Sequence, residues 1–332
     1  MLIQSGADKT MANSKAILSQ RLGEFRLQGI NPVVMSRLVE LSSHPTVDPE
    51  SYRDLAQVEP MLASRLLGVA NSSWASPLKP VTHLDHAINM LGLANVRALS
   101  LAFCLERFHA SLELDVQDTR ALWEASLLKA TAGRALAEAV RPDWTEEPFI
   151  AGLLQDLGVP LMMSISPEYR KLLADSKIGI EDQLTQERAI FGVDHVTVGS
   201  VIAYKLGLPT RYLTSILRHH TLPSHSTDDP TVSAEWIDCL VALLPHMGSN
   251  WNLGNMGRME SILSRFWQTN WADLPAFLKD ITSQCTELAG RLGRDISAVA
   301  DLEKMLDKLA RANTQAVVDM VQQSLRNGTD PR

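Results

Sequence analysis

One apolar stretch, residues 149–158, constrains the fold more than any other part of the sequence. Its apolar residues recur at three- and four-residue spacing from Phe149 to Leu157, which predicts a buried helix with Gly158 as its stop. A single acid, Asp156, lies at the end of the stretch. A carboxylate that an apolar helix carries into the interior must be hydrogen-bonded, paired with a cation or bound to a metal.

Similar helical spacing recurs along the chain between proline and glycine signals. Residues 48–50 combine an N-cap Asp, a first-turn Pro and an early Glu, and Pro60 begins the next helix. Thr82 and Asp85 have the spacing of a capping box, and Gly92 interrupts the chain one helix later. No segment alternates with period two between turn signals, so the predicted fold class is all-α.

Composition indicates an ordinary globular protein of 332 residues, 45% hydrophobic and 21% charged. No apolar run is long enough for a membrane span, and no secretory signal opens the sequence. Cys104, Cys239 and Cys285 are scattered and odd in number, which fits reduced thiols in the cytoplasm. A net charge of −7 argues against a nucleic-acid partner.

Several motifs in a fixed order resemble the HDOD family, a degenerate relative of the HD metal-dependent phosphohydrolases. The matching segments are VEPMLASRLLGVANSS (58–73), KPVTHLDHAINMLGLANVRALSLA (79–102), LWEAS (122–126), GLLQDLG (152–158), FGVDH (191–195), LGLP (206–209) and His219–His220. The resemblance spans roughly residues 20–245. It implies a multi-helix HDOD domain over 12–245, with an N-terminal lobe over 12–118 and a degenerate HD core over 119–245. Residues 1–11 are predicted to be disordered.

The same resemblance implies which residues surround the former metal site. HD phosphohydrolases hold one or two metals through His and Asp ligands, and the metals activate water and neutralise phosphate charge. The remnant pocket implied here consists of Gln155, Asp156, His195, His219 and His220. The lost ligand positions are Ala125, Gln155 and Ala242, with Asp238 one turn before the last. Ala has no donor atom, and a Gln amide is a poor ligand for a transition metal.

This remnant predicts a protein that is not an enzyme and has no cofactor. The most it could hold is one weakly bound divalent metal at Asp156, His195, His219 and His220. We expect Asp156 within about 10 Å of His195 and of the His219–His220 pair, close enough for direct or water-bridged contact. A pocket closed by its own side chains is favoured over an open one, because losing ligands removes the reason to keep it open.

A purely structural interpretation of these residues stays open. Asp156 would then hydrogen-bond a neighbouring helix, His219–His220 would end a helix, and His195 would follow an Asp194 N-cap. The other histidines show no convergent spacing and are predicted at the surface or at helix ends: His44, His83, His86, His109, His225 and His246.

The C-terminal part, residues 258–327, is predicted as a helical extension with segments over 258–292 and 296–325, after a loop over 249–257. An apolar stripe from Leu302 to Val321 either packs on the domain or forms a dimer or signalling helix, since it is nearly heptad. The tail also resembles linkers that precede diguanylate-cyclase domains, which would make a covalently linked output domain the partner.

The function that the resemblance implies is non-catalytic signal transduction in bacteria. The domain would bind a ligand or a partner protein and relay its state, within nucleotide second-messenger, motility or biofilm control. Two alternatives stay open: a residual metal-dependent phosphohydrolase acting on a nucleotide or phosphoester, and an adaptor that binds only protein.

Overall fold

Helices make up all the regular secondary structure in the described part of the chain. The structure, a computed structural model, describes residues 2–25, 32–44, 47–140, 146–223, 230–247, 251–266, 274–294, 296, 302, 304–307 and 311. Within these ranges there are sixteen helices and no strand. The prediction of an all-α fold is therefore confirmed.

The first eight helices lead up to the predicted site. They are α1 (Leu2–Gly23), α2 (Pro32–Ser42), α3 (Pro49–Val58), α4 (Pro60–Ala70), α5 (Leu84–Leu91), α6 (Leu93–Ala110), α7 (Val116–Val140) and α8 (Glu146–Leu154). The remaining eight are α9 (Gly158–Met163), α10 (Pro167–Ala174), α11 (Ile180–Phe191), α12 (His195–Lys205), α13 (Thr210–Arg218), α14 (Pro230–Val241), α15 (Leu253–Phe266) and α16 (Leu274–Arg291).

Local capping signals set where several helices begin. Asp48 has an extended backbone before α3, and its side chain accepts a hydrogen bond from the Glu50 amide at 3.0 Å, as predicted. The predicted capping box of Thr82 and Asp85 is wrong. Helix α5 begins at Leu84, and no side chain caps it.

Gly92 separates α5 from α6, as the sequence predicts. Its φ of 77° lies in the left-handed region, which a residue with a Cβ rarely adopts. The two helices meet at a bend of 108°. No single helix among the described residues is both long and apolar enough to cross a membrane, and this bent pair passes that test only when its two helices are taken together.

Helix α7 lies at the centre of the packing. It spans 25 residues and contacts α6 on one side and α8, α14 and α16 on others, most extensively α8. Helices α2–α6 pack on one another, while α12 packs on α9 and α13. Because α8 and α14 both lie against α7, the turn after α8 is held deep in the interior.

Helix α1 differs from the prediction in two ways. Residues 2–11, for which the sequence predicts disorder, lie within it. It also packs on α11 and α12, so the first helix of the predicted N-terminal lobe contacts the second half of the domain.

The described part of the C-terminal extension is mainly helical, with boundaries that the sequence misplaces. The predicted loop over 249–257 contains the start of α15 at Leu253, and the single segment predicted over 258–292 is two helices, α15 and α16. Helix α16 packs on α7. Leu302, Met305 and Leu306 of the predicted stripe are buried. The rest of the stripe, including Val321, lies outside the described residues, so the dimer-helix interpretation stays a prediction.

Candidate functional site

The carboxylate of Asp156 enters the core from a turn. Helix α8 is buried from Pro148 to Leu154 and ends there, four residues earlier than the sequence predicts. Gln155, Asp156 and Leu157 then form a turn before α9 begins at Gly158. The predicted helix stop at Gly158 is therefore wrong, because this glycine begins a helix.

Gly158 has a different role, which is close packing. A Cβ on it would lie 2.1 Å from the carbonyl oxygen of His195 and 2.8 Å from the Gly199 amide nitrogen. The start of α9 thus touches the first turn of α12 backbone to backbone. This contact places His195, the first residue of α12, beside the turn that carries Asp156.

Four histidines from separate parts of the chain converge at this point. His195 begins α12 after the Asp194 N-cap, His219 and His220 follow α13, and His246 follows α14. The Nε2 atom of His195 lies 3.2 Å from that of His219 and 3.1 Å from that of His220. The ring centroids of His195 and His246 are 5.2 Å apart. We call these four residues the histidine cluster.

Asp156 joins the cluster to a buried lysine. Its carboxylate accepts a hydrogen bond from Lys129 Nζ and lies 2.9 Å from His246 Nδ1 and 3.7 Å from His219 Nε2. Burial disfavours its charged form, but His246 and Lys129 together hold the pKa of Asp156 well below its usual range. The carboxylate is therefore ionised inside the core.

A second carboxylate, Glu187 of α11, orients His195. It accepts hydrogen bonds from the backbone amide of His195 and from its Nδ1, both at 2.8 Å. Tyr169 and Gln183 donate to the same carboxylate at 2.8 and 2.9 Å. Although burial opposes ionisation, His195 lowers the pKa of Glu187, so the pair is ionic.

These acceptors also decide which imidazole nitrogen carries a proton. The Ile216 carbonyl accepts from His219 Nδ1 at 2.7 Å, as Glu187 does from His195 Nδ1, so the two Nε2 atoms face each other. Burial disfavours a charge on His195, but Glu187 raises its pKa above the ordinary value. Burial and His195 lower the pKa of His219 to about 3. His195 is therefore the donor between the two rings.

The cluster thus balances its own charge. Lys129 offsets Asp156, and protonated His195 offsets Glu187. Burial lowers the pKa of His220 well below its ordinary value, and it also lowers that of His246. A site with two internal ion pairs needs no further cation for electrical neutrality.

Two sets of three donors are close enough to share a metal ion. Asp156, His195 and His219 form one set, and His195, His220 and His246 form the other, with ligand atoms within 4.8 Å of one another in each. The Lys129 ammonium, however, contacts Asp156 and lies 3.4 Å from His246 Nδ1. A divalent ion would add its charge beside that ammonium, so the residues present do not fit a metal.

Gln155 faces away from the histidines. It is fully buried, and its amide donates to the Asp238 carbonyl at 3.5 Å, while its Oε1 has no hydrogen-bond partner among the described residues. The Asp238 carboxylate accepts from the Ser215 hydroxyl at 2.5 Å, and burial raises the pKa of Asp238 to about 7. Asp238 therefore contacts Ser215, and Ala242, the other position considered for the final ligand, is buried on the turn after α14.

Two small cavities between described residues adjoin the cluster. A cavity of about 10 Å³ lies beside His219 and His220 and is bordered by Arg258 of α15. Another of about 20 Å³ lies beside His246 and is bordered by Asn252, just before α15. Each has room for about one water molecule. Helix α15 of the C-terminal extension forms part of the lining of both cavities.

The structure brings together four of the five predicted pocket residues: Asp156, His195, His219 and His220. Ligand atoms of Asp156, His195 and His219 lie within 4.8 Å of one another, and His220 Nε2 lies 3.1 Å from that of His195, so the predicted distances below about 10 Å are confirmed. The placement of His246 at the surface or a helix end is wrong, since it contacts Asp156. The sequence interpretation also missed Lys129, although a lone lysine among buried apolar residues of α7 is a usable signal.

The histidines outside the cluster lie away from Asp156 in sequence, and their burial differs. His44, His83 and His86 are exposed, as predicted. His109 lies in the last turn of α6, as the helix-end alternative predicts, and its side chain is buried. His225 lies outside the described residues.

Comparison with known proteins identifies related sequences and folds. A model of the HDOD domain matches residues 30–222, more than half of the chain. The solved structure of an HDOD domain protein of unknown function from Geobacter sulfurreducens aligns with a TM-score of 0.60 and 20% identity over 86% of this chain and 97% of that one. No curated protein matches the sequence.

Two further structures share the fold. A protein from Shewanella amazonensis SB2B, provisionally named a phosphohydrolase, aligns with a TM-score of 0.55 and 17% identity over 84% of this chain and 98% of that one. A protein from Marinobacter aquaeolei VT8, provisionally named a signal transduction protein, aligns with a TM-score of 0.53 and 16% identity over 89% of this chain and 66% of that one. At these identities the likeness concerns the fold alone.

Proposed function

Because the chain belongs to the HDOD domain family, we propose that it is a non-catalytic signal-transduction protein that binds a partner and relays its state. The proposal depends mainly on one observation. Asp156, the acid of the HD pair, contacts Lys129 and His246 within the cluster. Both contacts fall on Oδ2, while Oδ1 has no hydrogen-bond partner among the described residues and lies 3.7 Å from His219 Nε2. A metal bound at this carboxylate would therefore lie beside the Lys129 ammonium, whose positive charge opposes it.

The lost ligand positions support the same proposal. Ala125 offers no donor atom, and Gln155 turns its amide toward Asp238. A phosphohydrolase needs metal charge to stabilise the phosphoryl oxygens in the transition state. The charge-balanced cluster described above supplies no excess positive charge for that purpose.

Between the described residues, the small cavities favour a protein partner over a small-molecule ligand at the cluster. Spaces of about 10 and 20 Å³ beside His219 and His246 are far below the few hundred cubic ångströms typical of ligand pockets. The partner would be a separate protein or a covalently linked output domain. The Marinobacter protein named for signal transduction has the same fold, and the proposal extends that role to this chain.

Residual metal-dependent phosphohydrolase activity is the second candidate. Four imidazoles around Asp156 favour it, because imidazole suits several divalent metals. The Shewanella protein named a phosphohydrolase also shares the fold. The buried lysine counts against this alternative for the present chain.

Hydrolysis assays separate the two candidates. Purified protein is incubated with cyclic dinucleotides and with bis(p-nitrophenyl) phosphate, in the presence of Mn²⁺ or Fe²⁺. We expect no turnover above the buffer control. Robust turnover that Asp156→Ala abolishes would contradict the non-catalytic proposal.

A second experiment addresses the partner. Tagged protein is purified from cells of the source bacterium after chemical crosslinking, and bound proteins and small molecules are identified by mass spectrometry. We expect a stoichiometric protein partner. Recovery of a stoichiometric small molecule, with no protein, would favour a ligand-sensing domain instead.

A further inference from the structure

Lys129 occupies an unusual position for a lysine. It lies on α7, one helical turn after Ala125, and its side chain is fully buried. Its neighbours Leu127, Leu128 and Ala130 are buried apolar residues. A lysine in such a place is costly unless its charge is paired, so its partners explain why the fold tolerates it.

The partners of Lys129 belong to both candidate metal sets. Its Nζ donates to Asp156, a member of the first set, and lies 3.4 Å from His246 Nδ1, a member of the second. His246 Nδ1 in turn lies 2.9 Å from the Asp156 carboxylate. The Lys129 ammonium therefore lies beside one donor atom of each candidate metal set.

The position of Lys129 also relates it to a lost ligand. Residues four apart on a helix lie on the same face, so the side chains of Ala125 and Lys129 point toward the same region. Ala125 fills little of that region. A long side chain from the next turn can therefore reach Asp156 and place a positive charge at its oxygen.

We propose that the Lys129 ammonium takes the place of a divalent cation in this cluster, and that shortening Lys129 creates a metal site from Asp156, His195, His219 and His246. The inference rests on the proposed non-catalytic function and concerns the same residues. According to this inference, the Lys129 ammonium prevents metal binding by occupying the cation position, in addition to the effect of the lost ligands.

Cobalt binding tests this inference directly. Wild-type protein, Lys129→Ala and Lys129→Ala/Asp156→Asn are stripped with chelator and titrated with Co²⁺, with ligand-field absorption and calorimetry as readouts. We expect Lys129→Ala to bind one Co²⁺ at least about 100-fold more tightly than wild type, because a unit charge at contact distance in a partly screened interior is removed. The double variant should lose that gain. Lys171→Ala, at an exposed lysine of α10, is the matched control and should behave as wild type.

Two outcomes would overturn the inference. One is a folded Lys129→Ala protein that binds Co²⁺ no better than wild type. The other is wild-type protein, purified without chelator, that holds a stoichiometric metal which Asp156→Asn removes. If Lys129→Ala does not fold, Lys129→Gln is titrated in its place, and the metal content of wild type remains decisive. Failure here differs from failure of the proposed function, because metal-loaded wild type without hydrolysis would contradict the inference alone.

Discussion

A Cβ atom on Gly158 would lie 2.1 Å from the carbonyl oxygen of His195, so α9 and α12 meet without any side chain between them at this point. The contact joins the turn that carries Asp156 to the residue that begins α12. The distance between Asp156 and the histidine cluster therefore depends on the absence of a side chain at position 158.

Replacing this glycine should destabilise the fold. We expect Gly158→Ala to lower the free energy of unfolding by about 1–3 kcal/mol or more, because the atoms that must move are backbone atoms. Urea unfolding followed by circular dichroism measures the change. Gly68→Ala, at an exposed position of α4, is the control, since no atom lies within 4 Å of its Cβ position, and it should be neutral or stabilise by up to about 1 kcal/mol. Equal effects at the two glycines would refute the close-packing interpretation.

Leu154 tests the importance of α8. It is fully buried where α8 packs on α7, with α13 and α14 also in contact with α8. We expect Leu154→Ala to cost about 2–5 kcal/mol in urea unfolding, as large-to-small core substitutions do. Leu78→Ala, at a fully exposed leucine, should change stability by less than about 0.5 kcal/mol. A cost below about 1 kcal/mol for Leu154→Ala would mean that α8 is not central.

The Lys129–Asp156 pair lends itself to a double-mutant cycle. Removing one partner of a buried ion pair leaves an uncompensated charge, so Lys129→Met and Asp156→Asn should each cost about 3–5 kcal/mol. The double variant should cost clearly less than their sum, by more than about 1 kcal/mol. Strict additivity in unfolding free energies would show that the two charges do not stabilise each other.

His109 provides a pH test outside the cluster. Burial lowers its pKa from 6.5 to about 3, so the unfolded chain binds a proton before the folded chain does. Its contribution to stability is therefore fully present above about pH 6.5 and is lost as pH falls toward 3. The free energy of unfolding of the wild type should fall between about pH 6 and about pH 5 as the unfolded chain binds this proton. In His109→Phe we expect that fall to be smaller by about 1 kcal/mol per pH unit. His86→Gln, at an exposed histidine of α5, is the control, and an unchanged slope in His109→Phe would contradict the assignment.

Local signals in the sequence predicted much of the fold. Asp48 caps α3, Gly92 bends the chain and Asp194 caps α12, because each depends on neighbours within a few residues. The motif resemblance placed Asp156 and His195 near each other, although they lie on different elements. The helix end at Leu154 was misplaced because apolar spacing continues through the turn after it.

His246 and Lys129 belong to the site but could not be assigned to it from local sequence signals. His246 is 90 residues from Asp156, and nothing in its own neighbourhood indicates that contact. Lys129 stands out locally as the one lysine of α7, among buried apolar residues, but its partner depends on how α7 packs on α8. Tertiary contacts of this kind leave no periodic pattern in the chain.

Helix α15 borders the histidine cluster, so a fragment of the protein keeps the cluster intact only if it includes this helix. The family match ends at residue 222, yet His246, Asn252 and Arg258 lie beyond it and border the histidines. A fragment trimmed at the match boundary would leave Asp156 without His246 and would open His219 and His220 to bulk water. The smallest piece of this protein that keeps its interior intact is therefore longer than the domain for which its family is named.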